Sequence, residues 1–483
     1  MQVAPTIGII IRRSLVSWSP IAAMLKSYFL FCLISRSGAF NVDLSALSSR
    51  QATSPDQLPD AVLPALAFER STWVAGSVFE DPFYKVNSEW AEADPGTLFR
   101  VEDMNPTLYT IPPTTAISRI LYQSRSLGGK KVPASGYVLF PYSPRKVEGG
   151  GVPIVIWGHG TSGIHPESAP SHLRDLWQNA QGPTPLVEQG YVVIAPDYAG
   201  LGVSRNASGG NITHEYLASP AHANDMENAL KAARSAFTFL GRKFVTVGQS
   251  QGGGAVWSFA ENMHSNPIEG YLGGVALAPV TRLLDLPSEN NPIKPLLAAA
   301  TLPSIASLYS DFNISSVLTP EGLQRFNLEL KTGGNVATTI ALLLTMAGFQ
   351  ILKDGWEQNE FVQRYQAATS AGGKPIKGPL LVQQGDADIN IYVQTTTAAV
   401  DKTASASPKE SITYLVYSNI THAPINWASQ QRTLNWIAER FNGQAAPSGL
   451  AKEQISSLRP WSKYLADQNF YSVPATEFYH VPA

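Results

Sequence analysis

The chain has 483 residues, enough for about three domains of ordinary size or for one large α/β core carrying an insertion. Its 44% hydrophobic content excludes a largely disordered chain, and 15% charged residues with a net charge of −2 exclude the broad basic face that a nucleic-acid partner would need. The single cysteine, Cys32, permits no intrachain disulfide and offers one ligand where a structural zinc takes about four.

Residues 1–39 contain Arg12, Arg13, Lys26 and Arg36 but no acidic residue, and an apolar run from Tyr28 to Ile34 is followed by Ser37, Gly38 and Ala39. That layout predicts a signal peptide, with Met24 as an alternative start, and a secreted product. The run is shorter than the roughly 20 residues of a membrane span, so no transmembrane segment is expected. Four N-x-[ST] triplets, at Asn206, Asn211, Asn313 and Asn419, are glycosylation candidates. Residues 40–114 read as an N-terminal arm.

From residue 115 short apolar runs bounded by Gly and Pro recur: Ile117 to Tyr122, Gly136 to Phe140, Pro153 to Trp157, Tyr191 to Ala195, Phe244 to Val247, Leu272 to Ala278, Leu380 to Gln383 and Ile412 to Tyr417. Helix-compatible stretches such as Ala221 to Leu240 and Gly252 to His264 lie between them. This alternation predicts an α/β core over 115–278 and 378–442, with a mostly parallel central sheet, helices on both faces and an opening antiparallel hairpin. Residues 279–377 break the alternation and read as an inserted helical cap, in which the uncharged run Val336 to Leu352 is expected to be a buried helix, with the wall of a substrate tunnel as a compatible alternative. Residues 443–483 read as a tail.

Gly158-His159-Gly160-Thr161-Ser162-Gly163 has the G-x-G-x-x-G spelling of a dinucleotide site, but Pro166 and Pro170 interrupt the helix that should open there. Asp197 also lies farther along than the acidic partner of such a site should. The loop serves better as a source of backbone N–H donors for an oxyanion, at Thr161 with Gly160 as the alternative. Gly248-Gln249-Ser250-Gln251-Gly252 has the G-x-S-x-G spelling of a nucleophile elbow, entered by a β-rich run and left by a small-residue helix pattern. Ser250 is the candidate nucleophile, and the N–H of Gln251 the other oxyanion donor. A serine hydroxyl needs a base oriented by a third group, in the chain order serine, acid, histidine. Asp388, three residues past the glycine of Gly385-Asp386-Ala387-Asp388, is preferred over Asp386 as the acid. His422, in a strand-to-helix loop, is preferred over His480 as the base.

These motifs occur together with Asp81-Pro82-Phe83-Tyr84, Pro95-Gly96-Thr97, Trp157-Gly158-His159-Gly160-Thr161 and Pro196-Asp197-Tyr198-Ala199-Gly200-Leu201-Gly202. In this combination the chain resembles the fungal secretory lipase family, of the lipase A type, from about residue 80 to 442. The resemblance implies an α/β-hydrolase fold with a helical lid between nucleophile and acid. It also implies Ser250, Asp388 and His422 as the triad, no cofactor or metal, and hydrolysis of acylglycerols or simple esters, with transient contact between cap and lipid. Relatives of this type include esterases that remove small acyl groups from secondary metabolites, so lipase and small-acyl esterase both stand, as do a peptidase or acyltransferase using the same triad. A non-catalytic binding protein would be expected to lack a triad member, and none is missing.

Overall fold

The computed structural model describes residues 57–288, 291, 293–345 and 350–465, so the expected signal peptide, Cys32 and His480 lie outside the described residues. Ten strands form one sheet: β1 (Leu98–Asp103), β2 (Thr115–Arg125), β3 (Lys131–Pro141), β4 (Val152–Gly158), β5 (Val192–Pro196), β6 (Leu240–Gln249), β7 (Tyr271–Leu277), β8 (Leu380–Gly385), β9 (Ser411–Tyr417) and β10 (Gly449–Ile455). Their spatial order is β1-β2-β3-β5-β4-β6-β7-β8-β9-β10. The pairings β1/β2, β2/β3 and β3/β5 are antiparallel, and every pairing from β5/β4 to β9/β10 is parallel.

Alternation along the central strands sorts their side chains onto two faces. Ile154, Ile156, Val192 and Ile194 pack with Met226 and Leu230 of α3 (Ser219–Ala236) and with Trp257 and Phe259 of α4 (Gln251–Ser265). Val155, Trp157 and Val193 face the other way, onto Leu186 and Val187 of α2 (Pro183–Glu188) and Ile437 and Phe441 of α11 (Gln430–Phe441). The parallel strands are therefore apolar on both sides, as a sheet sandwiched between helices must be. Each such large side chain contributes about 2–3 kcal/mol when fully buried.

Two strands extend the sheet beyond the expected core. β1 comes from the stretch read as an arm and β10 from the stretch read as a tail; both are edge strands whose middle residues are mostly half-buried or exposed, so neither needed an apolar run to form. β6 begins at Leu240, where the sequence pattern still suggested helix, and α3 ends at Ala236.

Between β7 and β8 the chain forms α5 (Ile293–Leu308), α6 (Pro320–Thr332), α7 (Val336–Leu344) and α8 (Glu360–Thr369), which share an apolar core including Leu302, Ile305, Phe326, Val362 and Tyr365. The expected helix over Val336 to Leu352 is shorter than its apolar run. α7 ends at Leu344, residues 346–349 lie outside the described residues, and Leu352 forms an isolated antiparallel bridge with Leu318. An unbroken apolar run reports burial, which a helix and a buried bridge satisfy equally well.

A helix start leaves N–H groups without intrahelical acceptors, and α7 finds them in other parts of the chain. Glu69, on α1 (Leu63–Ser71), accepts from the N–H groups of Asn335 at 2.8 Å, Ala337 at 2.9 Å and Thr338 at 3.1 Å, and from the Thr338 hydroxyl. The Val336 N–H donates to the carbonyl of Ser162 at 3.0 Å, in the loop after β4. Burial pushes the Glu69 carboxyl above its ordinary range, and these donors pull it back down. Glu69→Ala would strand three backbone N–H groups and one hydroxyl, and is expected to cost about 3 kcal/mol of stability, read as a lowered melting temperature. Glu69→Gln, which keeps one acceptor oxygen, should cost less.

Candidate active site

The carboxyl ends of β4 and β6 are neighbours, yet the strand after β4 lies to one side and the strand after β6 to the other. In a doubly wound sheet such a reversal opens a crevice at those strand ends. The candidate residues gather there, on the loop after β4, the turn after β6 and the loops after β8 and β9.

Ser250 sits between β6 and α4 with φ 56° and ψ −115°, a left-handed backbone that a residue with a Cβ rarely adopts. Its N–H donates to Leu277 O at 2.9 Å and its carbonyl accepts from Val280 N at 3.0 Å, so the end of β7 and the segment just after it hold the two sides of the turn. The turn throws α4 directly against β4. A Cβ on Gly252 would come within 1.9 Å of the Gly158 carbonyl oxygen, so no other residue fits there. Gly252-Gly253-Gly254 forfeits about 3 kcal/mol of helix propensity relative to alanine, and the close approach to β4 and β7 is what that loss permits.

The loop after β8 carries both candidate acids. Asp388 is buried, and its Oδ1 accepts from the N–H groups of Asn390 at 2.8 Å and Ile391 at 2.9 Å. Its Oδ2 takes His422 Nδ1 at 2.8 Å and the amide of Gln384 at 2.9 Å. Asp386 is exposed and spends its oxygens on Asn419 N at 2.6 Å and Gln454 at 3.3 Å, bracing the turn that precedes His422. The Nε2 of His422 lies 3.2 Å from the side-chain amide nitrogen of Gln249, the residue before Ser250. The structure thus brings Asp388 and His422 into direct contact and sets the reactive edge of the imidazole beside the serine turn.

Of the candidate oxyanion residues, Gln251 is the first residue of α4, where N–H groups have no intrahelical acceptor. Its side-chain amide donates to Nε2 of His214 at 3.1 Å and of His222 at 3.0 Å. Thr161 lies in the loop after β4, its hydroxyl 2.8 Å from that of Tyr216. Short 3-10 turns at Pro166–Ser168 and Pro170–His172 follow the loop, in place of the helix that a dinucleotide site would require.

Three residues around the site were not assigned to it from the sequence. Gln384 ties Asp388 to the Ile391 carbonyl at 3.0 Å and accepts from Thr396 at 2.9 Å; the signal available was a polar pair, Gln383-Gln384, within an apolar strand. His214 and His222 stack 5.2 Å apart beneath the start of α4, with Tyr198 4.3 Å from both His222 and His159. Burial pulls His159 down to about 4 and His214 to about 3, and sends His222 well below its ordinary 6.5. All three are neutral near pH 7, which leaves a ring nitrogen on both His214 and His222 free to accept from Gln251.

Among the described residues no group of three or more His, Cys, Asp or Glu could hold a metal ion, and no helix is long and apolar enough to cross a membrane. Of the four N-x-[ST] asparagines, Asn211, Asn313 and Asn419 are exposed and Asn206 is half-buried; the side-chain oxygens of both Asn206 and Asn313 accept from the N–H two residues on.

His222→Gln removes one buried group that protonates more easily in the unfolded chain than in the folded one. A lowered pKa of this kind gives stability that is present above pH 6.5 and lost as the pH falls. The melting temperature of the variant relative to the parent protein is therefore expected to improve steadily between pH 7 and pH 4.

No family model matches the sequence, and no curated protein does. Among solved structures, Candida antarctica lipase A superposes with a TM-score of 0.63 at 15% identity, over 80% of this chain and 91% of that one. Its closed state gives 0.60 at 15% identity, over 77% of this chain and 88% of that one. A rice cell wall degrading esterase from Xanthomonas oryzae, LipA, gives 0.57 at 16% identity, over 73% of this chain and all of that one. With the strand order, the turn at Ser250 and helices on both faces of the sheet, these likenesses establish that the chain has the α/β-hydrolase fold.

Proposed function

We propose that the protein is a serine carboxylester hydrolase working through an acyl-enzyme. The observation that carries this reading is the 2.8 Å bond from His422 Nδ1 to the buried Asp388, with the other edge of the ring turned toward the turn that strains Ser250. Ser250 Oγ attacks the ester carbonyl while His422 Nε2 takes its proton. His422 then protonates the leaving alcohol and activates the water that releases the acid. Asp388 holds the ring in the Nδ1–H form and offsets the charge that develops on it. The backbone N–H groups of Gln251 and Thr161 stabilise the oxyanion, each at about 3 kcal/mol. The solved relatives described as a lipase and an esterase support the same chemistry.

The substrate side is read from a narrow cleft between the core and the inserted helices, lined by Leu217, Val280, Leu283, Ile305, Val362 and Tyr365 together with Thr281, Thr301, Gln366 and Thr369, none of them charged. Val280 is the residue whose N–H binds the Ser250 carbonyl, which links this lining to the backbone of the serine turn. Its uncharged, mostly apolar lining offers contacts to a hydrocarbon acyl chain and no partner to a charged peptide terminus, which favours an ester hydrolase over a peptidase. Secretion with glycans at the exposed Asn211, Asn313 and Asn419, and contact with lipid through the inserted helices, belong to the same reading.

Ser250→Ala is expected to lower kcat by about 10⁶ on p-nitrophenyl esters, measured across a series from acetyl to palmitoyl. A maximum at long chains identifies a lipase and a maximum at acetyl or butyryl a small-acyl esterase; turnover that persists in Ser250→Ala would overturn the mechanism. Val362→Phe, which narrows the cleft, should reduce kcat/KM for long acyl chains by about tenfold relative to acetyl. An equal loss at every chain length would remove the cleft from the substrate path.

A further inference from the structure

With its Nδ1–H held by Asp388, the neutral His422 ring has one lone pair left, on Nε2. In the structure that lone pair is taken by the amide of Gln249, 3.2 Å away. Gln249 is the last residue of β6 and is 7% exposed, so its carboxamide is held inside the site. Its other end lies against the loop after β4. A Cβ on Gly160 would come within 2.5 Å of Gln249 Oε1 and 3.6 Å of Ser250 Cβ. The missing side chain at Gly160 is what makes room for the carboxamide between that loop and the base. Gln251, two residues on, bonds instead to His214 and His222, so the two glutamines of the motif serve separate neighbourhoods.

Deprotonation of Ser250 needs the same Nε2 lone pair, and two N–H or O–H donors cannot both occupy it. The empty site and the reacting site must therefore differ in which residue donates to His422. We propose that Gln249 is a positioning residue that caps His422 Nε2 in the empty enzyme and yields it to Ser250 when an acyl group enters against Gly160. The inference rests on the serine-hydrolase reading. It makes the resting serine less reactive than its triad alone would, because activation waits for a ligand that displaces the carboxamide.

The test compares Gln249→Met, which keeps the length of the side chain and removes the donor, with Gln249→Leu and the parent enzyme. The probe is diethyl p-nitrophenyl phosphate, which carries no long acyl chain; release of p-nitrophenol gives the rate, and mass spectrometry locates the adduct. Both variants should be phosphorylated about three- to tenfold faster than the parent, the worth of one lost hydrogen bond. On a p-nitrophenyl ester kcat/KM should rise through KM, since substrate no longer has to displace the carboxamide. A purely structural role for Gln249 would instead lower both rates. If Ser250 of the parent takes the label but neither variant, each folded by near-ultraviolet circular dichroism, reacts faster, the role of Gln249 is overturned. If the parent itself is not labelled at Ser250, the serine-hydrolase reading falls, and this inference with it.

Discussion

The contact between the Gly158 carbonyl and the backbone of Gly252 is the constraint on which the rest of the site depends. It lets α4 start immediately beside β4, which forces the chain to reverse within one residue and leaves Ser250 at φ 56°. The strain is held by the sheet and the segment after β7: β6 enters the turn as a central strand, Leu277 at the end of β7 accepts from the Ser250 N–H, and Val280 beyond it donates to the Ser250 carbonyl. The same geometry places the start of α4, where the first N–H groups lack intrahelical acceptors, beside the ends of β4 and β6.

Buried polar groups surround this turn, and glutamine amides do much of the connecting. Gln384 holds Asp388, Gln251 ties the start of α4 to two neutral histidines, and Gln249 faces His422. A buried carboxamide brings two donors and an acceptor with no charge to desolvate, so it can link backbone, carboxylate and imidazole at lower cost than an ionised group. Burial keeps His159, His214 and His222 in the neutral form that such links require.

The inserted helices are fastened to the core at the site itself. The start of α7 is held on one side by Glu69 of α1 and on the other by the Ser162 carbonyl, one residue past Thr161. Val62 and Ala65 of the N-terminal segment pack on Ala341 and Leu342, so the stretch that precedes the sheet helps to build the cover over it. A displacement of α7 would be felt directly by the loop proposed to hold the oxyanion.

The sequence by itself determined the layered α/β architecture, because apolar runs of strand length bounded by Gly and Pro can be buried on both faces only in a parallel sheet covered by helices. It also determined the local turn at Ser250, where glycine spacing is a steric requirement that reads directly as a motif. The edge strands β1 and β10 escaped it because an exposed strand needs no hydrophobic pattern, and the end of α7 at Leu344 escaped it because an apolar run specifies burial rather than backbone conformation. Asp386 and Asp388 stand two residues apart in the same loop, and only the folded turn makes one exposed and the other buried against His422. Gln249 and His422 are separated by 173 positions. What occupies the lone pair of a base is set by which strand ends meet across the sheet, and no local pattern in the chain carries that information.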